Sequence, residues 1–259
     1  MTIKEITNHL EELAPLAHAE EFDNVGLLVG DFETEITSIL VSLDTLEATV
    51  DEAIEKKCNL IVSFHPIIFS GLKKINGASY VERVAIKAIK NDIAIYSMHT
   101  ALDNSFEGVS AKMCDVLGLQ NRQFLLPKES GKTGMGMLAE FPSAMTEKDF
   151  LQLLKVKFNA KGIRHSILLN KSIKKVALLG GSGSFAIAQA KALKADAYVS
   201  SDFKYHDFFK AENNIVLIDI GHYESEQYTK NLLVDYLNKK SGNFAVILSQ
   251  KNTNPINYL

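Results

Sequence analysis

Residues 59–66, NLIVSFHP, form an apolar run that proline stops one residue after a histidine, and they decide how the rest of the chain is read. An unbroken apolar run of this length asks for cover on both faces, as an interior strand of a parallel sheet has. The pattern returns in residues 93–97 before Met98-His99, and in residues 39–43. Between these runs the apolar spacing is helical. Leu46, Val50, Ala53 and Ile54 share one face of residues 45–57, and a second helix is expected over 80–91. This alternation predicts an α/β fold with mixed sheets covered by helices. In such sheets, functional groups gather just beyond the carboxyl ends of strands, where His65 and His99 stand.

Working outward, residues 1–15 have amphipathic-helix spacing (Ile3, Ile6, Leu10, Leu13) rather than the pattern of a signal peptide, and residues 25–29 form a short strand. Residues 121–136 turn polar and rich in Gly, Lys and Pro, which reads as a domain junction. Beyond it we expect a strand at 137–141 and a helix capped near Thr146. Strands follow at 166–169 and 176–179, then the turn Gly180-Gly181-Ser182-Gly183 and a helix to about residue 194. Further strands are expected at 197–200, 215–220 and 244–248, with a helix to about residue 239 before the last. The division read from these elements is one α/β domain of 1–126 with 222–259, carrying metal ligands, and a second of 127–221.

The 259 residues are 46% hydrophobic with a net charge of −3, enough apolar mass for one or two cores and too little positive charge to draw nucleic acid. No apolar run approaches the roughly 20 residues of a membrane span. Cys58 and Cys114 are the only cysteines, which suits two buried thiols in a reducing, cytoplasmic setting.

Three segments offer metal-binding chemistry at strand ends. Pro66 holds His65 extended and so constrains its side chain. His99 and Asp103 are four residues apart, and so are His222 and Glu226; each pair shares a face if the chain turns helically there. Two strand exits carrying the same His-x-x-x-carboxylate pair, with a His-Pro at a third, point to side chains from distant strands meeting around one cation.

A further segment, Ser200 to Asp207, contains Asp202 and His206. Read by themselves, these are a helix cap and a partly exposed histidine. Gly181, Gly183 and Ala186 meet a glycine-x-glycine-x-x-alanine pattern between a strand and a helix, read either as a phosphate seat or as a tight turn. A nicotinamide dehydrogenase is the weakest reading, since no preceding strand–helix–strand frame supports those glycines. There is no Gly-Lys-Ser/Thr phosphate loop, and Ser184 stands where a nucleophile elbow needs glycine.

The stretches DNVGLLVGD (23–31), LIVSFHPIIFSGLKKI (60–75), YSMHTALDN (96–104), GSGSF (181–185), YVSSDFKYHDF (198–208) and DIGHYESE (219–226) resemble the NGG-interacting-factor-three-like proteins, also labelled GTP cyclohydrolase I type 2 homologs. They span nearly the whole chain in the family's order. The resemblance implies a ring-shaped homohexamer with a two-metal centre in each subunit, ligated by His65, His99, Asp103, His222 and Glu226, and it sets the stretch from Ser200 beside the same cleft, which makes Asp202 and His206 candidates for substrate contact or proton transfer. Family members usually carry two adjacent histidines before the proline, whereas this chain has Phe64 at the first position. One metal should then lack a ligand, so the two sites should fill unequally.

The expected cofactors are one or two divalent ions per subunit. Three imidazoles and two carboxylates suit Zn, Fe, Mn, Co or Ni alike. The expected activity is a metal-dependent hydrolase or cyclohydrolase on a phosphorylated or nucleotide-like small molecule. Glu226 and Asp103 would hold the ion, and His206 would move the proton. The alternative is a protein that stores or delivers metal without turnover.

Overall fold

Ile3, Ile6 and Leu10 are fully buried along one side of α1 (Ile3–Leu13), whose first turn is closed by a reciprocal cap between Thr2 and Glu5. This computed structural model describes residues 1–129, 131–240 and 244–259. The chain forms two compact units, Met1–Leu102 with Thr229–Thr253, and Asp103–Tyr228 with Asn254–Leu259.

In the first unit the strands are β1 (Gly26–Val29), β2 (Ser38–Ser42), β3 (Leu60–Ser63), β4 (Ala94–Ser97) and β11 (Ala245–Leu248). They are ordered β1-β4-β3-β2-β11. The last four run parallel, and β1 pairs antiparallel with β4, Gly26 opposite Ser97. Every residue of β2, β3 and β4 is buried, as their apolar runs require. Leu40, Ile61 and Ile95 pack with Val50 and Ala53 of α2 (Glu47–Glu55) and Val84 and Ala88 of α3 (Tyr80–Lys90). Helix α9 (Thr229–Lys240) packs on β2 and β11 and touches α1. β4 runs directly into the short helix α4 (His99–Asp103).

The second unit holds β5 (Gln120–Pro127), β6 (Gly134–Thr146), β7 (Arg164–His165), β8 (Ser172–Ser182), β9 (Ala197–Ser201) and β10 (Val216–Asp219). Their order is β5-β6-β8-β9-β10-β7, with β8, β9 and β10 parallel and the other pairs antiparallel. One face packs against α5 (Val109–Leu117) and α6 (Glu147–Lys157) through Met113, Phe150, Leu154 and Phe158. The other carries α7 (Ile187–Ala192) through Ile187 and Ala190. Fully buried phenyls such as Phe150 and Phe158 are each worth about 3–5 kcal/mol against alanine. The α/β class with helix-covered mixed sheets is thus the architecture observed.

Several local expectations are corrected. Residues 121–136 are no linker but the larger part of the β5–β6 hairpin, with Ser130 outside the described residues. The strand expected at 166–169 lies earlier, at β7, because Ser166 turns its hydroxyl to accept from the Leu217 N–H. Gly180 to Ser182 continue β8 rather than forming a turn, and a short 3-10 turn (Ser184–Ala186) precedes α7, which ends at Ala192. Helix α5 carried no expectation. It packs on β6 and β8, so residues 103–126 group with the second unit, a different cut from the sequence division of 1–126 with 222–259 and 127–221.

Candidate metal centre

Strand order in the first unit lines up four functional side chains. β2, β3 and β4 are parallel neighbours, so Asp44, His65 and His99 leave their carboxyl ends side by side, about 4.8 Å apart per strand. The antiparallel β1 brings Asp23, just before it, to the same edge. His65 Nδ1 lies 2.8 Å from Asp44 Oδ1, and His99 Nδ1 lies 2.8 Å from Asp23 Oδ1. The two imidazole centroids are 5.4 Å apart, and the buried Phe64 ring approaches them at 4.8 and 5.5 Å.

The Asp23 side chain is enclosed. Burial alone would raise its pKa, but the hydrogen bonds from His99 and from the Thr100 hydroxyl and N–H prevail and hold it at about 2. An ionised carboxylate only accepts, so Nδ1 of His99 carries a proton, and in the neutral ring the lone pair is on Nε2. His99 and Asp103 are the first and last residues of α4, one turn apart on one face.

The second unit repeats the device. Ser182 closes β8, Asp202 follows β9 and His222 opens α8 (His222–Glu226) after β10. His222 Nδ1 is 2.7 Å from Asp202 Oδ2, which also accepts from Ser182 Oγ at 2.5 Å. Asp202 is held below the usual carboxylate range, first by His222 and against its partial burial. On its other side, His222 Nε2 stands 3.1 Å from Oε2 of Glu226, which is 4% exposed. Burial disfavours the imidazolium, yet hydrogen bonds and charge from Asp202 and Glu226 outweigh it and raise His222 to about 11. Ligand atoms sharing a cation with bonds of about 2.0–2.2 Å lie about 3.0–3.4 Å apart, so this imidazole–carboxylate spacing fits a metal in place of the proton.

His99 (φ +26°) and Asp202 (φ +57°) both occupy the left-handed region, a strain on the order of 1 kcal/mol each that their hydrogen bonds offset. Gly181 explains the buried Glu226. At φ +69° its N–H donates to Ser225 Oγ at 2.9 Å, and a Cβ there would overlap Glu226 Oε1. At Gly183 a Cβ would overlap Ser200 and Tyr198. The glycines thus admit close neighbours. His206 lies exposed on a 3-10 helix (Tyr205–Ala211), its ring 5.1 Å from Tyr205 and 5.9 Å from Phe209.

Within the first unit the structure therefore joins His65 to His99, and within the second His222 to Glu226. Sequence reasoning did not single out Asp23 and Asp44, and it offered Asp202 as a cap or a catalytic group rather than as the partner of His222. The only signal was position, an aspartate beside a strand end that neighbours a histidine's strand.

A family model described as Duf34/NIF3 (NGG1p interacting factor 3) matches residues 1–255. The GTP cyclohydrolase 1 type 2 homolog of Clostridium acetobutylicum is 32% identical over 267 residues, covering 100% of this chain and 99% of its own. A crystal structure of a Staphylococcus aureus hypothetical protein superposes with TM-score 0.92 at 32% identity, covering 100% and 99%. That of a Bacillus cereus protein related to NIF3 gives 0.94 at 25%, with the same coverage. Among the described residues no helix is long and apolar enough to cross a membrane.

Proposed function

From the premise that the chain belongs to the Duf34/NIF3 family, we propose that it is a cytoplasmic, homohexameric, metal-dependent hydrolase of nucleotide-like or phosphorylated small molecules. The ligands in this reading are His65, His99, Asp103, His222 and Glu226, which together hold one or two divalent ions. His65, His222 and Glu226 each offer a nitrogen or oxygen of the kind such ions take.

One observation carries the reading. All three imidazoles are tied through Nδ1 to an aspartate at 2.7–2.8 Å, the arrangement that orients a histidine to present Nε2 to a metal. A divalent cation held there supplies Lewis acidity that makes water a nucleophile near neutral pH. The chain's own part is to fix ligand direction through Asp23, Asp44 and Asp202, to hold Glu226 beside His222, and to move a proton at His206.

The substrate class draws support from two exposed phenyls in the first unit. Phe69 lies 6.2 Å from the His99 ring and Phe22 lies 6.4 Å from Phe69, a surface on which a flat heterocycle can stack. The relatives named GTP cyclohydrolase 1 type 2 homolog make GTP the first compound to try.

The test is elemental analysis of protein purified without chelator, followed by turnover of GTP and simple phosphoesters with and without added metal. The expected result is bound divalent metal, metal-dependent turnover, and loss of both in His99→Ala/Asp103→Ala. Unchanged metal content in that double variant would overturn the ligand assignment, whereas bound metal with no turnover would favour metal storage or delivery.

A further inference from the structure

Each of the three aspartates that hold an imidazole is itself held by a hydroxyl. Thr253 donates to Asp44 Oδ2 while Asp44 Oδ1 accepts from His65. The Thr100 hydroxyl donates to Asp23 Oδ2 while Asp23 Oδ1 accepts from His99. On Asp202, Ser182 and His222 both donate to Oδ2. The three hydroxyls come from unrelated places: a helix of five residues, the end of a strand, and the segment after the last strand. The same chemistry reached three ways is not a by-product of one local motif.

We propose that Thr253, Thr100 and Ser182 are positioning residues that lock the aspartates, and through them fix which imidazole nitrogen faces the cation. A carboxylate bonded only to Nδ1 can rotate about its last torsion, which is broad and roughly two-fold. A second donor removes that freedom. For Asp44 the hydroxyl takes one oxygen and commits the other to the ring; on Asp23 the Thr100 hydroxyl acts together with the Thr100 N–H on the same oxygen and the Asn24 N–H on the other; for Asp202 the hydroxyl pins the very oxygen that the ring uses. Because a carboxylate accepts only, each hydroxyl must donate, which sets the proton order along the line as hydroxyl to carboxylate and Nδ1–H to carboxylate, and leaves Nε2 as the nitrogen that can meet a cation.

Thr253 is the most telling of the three, since it joins Asp44 from 209 positions away in sequence. It arrives there because β11 pairs in parallel beside β2, Leu248 opposite Val41, so the chain leaving β11 passes the residue that follows β2. Ser249 fixes that exit, its N–H donating to the Val41 carbonyl at 2.8 Å and its hydroxyl to Glu52. A residue after the last strand thus reaches the carboxylate that holds His65, just past β3.

The inference rests on the metal-site reading, and its test has an arm that does not. In metal-free protein, nitrogen NMR of the imidazoles should show His65 and His99 each in a single Nδ1–H form. Thr253→Val, which keeps the shape and removes the donor, should mix the tautomers of His65 and leave His99 as it was; Thr100→Val, which leaves two backbone N–H groups on Asp23, should mix those of His99 to a smaller degree and leave His65 as it was.

In the second arm, zinc binding by chelator competition should weaken on the order of five-fold in Thr253→Val. That is less than the roughly 10- to 100-fold expected for loss of an aspartate that itself orients a ligand. Thr253→Ser should restore both readouts, and should Thr253→Val not fold, Thr253→Ala and Thr100→Val carry the same comparison. A folded variant lacking the hydroxyl, with wild-type tautomer and wild-type zinc affinity, would overturn the proposal. Wild-type protein that binds no zinc would instead sink the metal reading and leave the tautomer arm to decide this one.

Discussion

Phe64 is fully buried with its ring against both His65 and His99, in the position where the family resemblance expects a histidine. A phenyl supplies packing and no lone pair, so one cation should be held tightly and a second weakly. Exhaustive dialysis followed by metal analysis should leave about one equivalent per chain. Phe64→His should raise that toward two, and two tight equivalents in the wild type would remove the reason for the prediction. At this scale the candidate ligands were legible in the sequence and the aspartates beside them were not. A His-Pro at a strand end and a His four residues before an acid are visible in one dimension. Asp23 and Asp44, by contrast, stand next to Asn and Thr and look like any turn aspartate until strand order brings them beside an imidazole.

At the level of elements, the run Gly180 to Gly183 shows what residue type alone cannot decide. A glycine cluster between a strand and a helix reads equally as a phosphate seat, a turn or a place of close approach, because the discriminating fact is what arrives from α8, over forty residues later. Here that is Glu226 against Gly181. Gly181→Ala should cost about 1–3 kcal/mol through its φ of +69° and displace the carboxylate, lowering both Tm and metal content. Gly118→Ala supplies the control. It has φ +72° at the end of α5 and open space where the Cβ would go, so it should lose about 1 kcal/mol of stability and no metal. Equal metal loss in both would mean that strain alone, and not displacement of Glu226, empties the site. The interior strands β2, β3, β4, β9 and β10 were placed within a residue or two, whereas β6 and β8 run three to five residues further at each end. The β5–β6 hairpin was hidden because polar edge residues carry little of the periodicity that marks a strand.

Over the whole molecule the chain leaves the first unit after Leu102 and returns to it at Thr229, an interleaving that composition cannot reveal because both units are ordinary α/β sequence. The two cysteines fall one in each unit, and both are buried. Burial pushes the Cys114 thiol up to about 12 and raises Cys58 as well, so neither should react with a disulfide reagent at pH 8 until its own unit opens. Labelling against denaturant therefore reads the units separately. Two distinct midpoints would make them independent domains, and one shared midpoint a single cooperative fold.

The same global measurement, made against pH, tests the charge arrangement at His222. Its pKa in the folded, metal-free chain is raised from the ordinary 6.5 to about 11, so the group stabilises the fold fully below about 6.5, and this stabilisation is lost as pH rises toward 11. A cation competes with the same proton, so metal affinity should move the opposite way and strengthen over that interval. In thermal melts from pH 6.5 to 9.5, the Tm advantage of chelator-treated wild type over His222→Gln should shrink as pH rises, while the gain from added zinc should grow. An advantage that does not change with pH would mean that the proton between Asp202 and Glu226 is not what holds those carboxylates together.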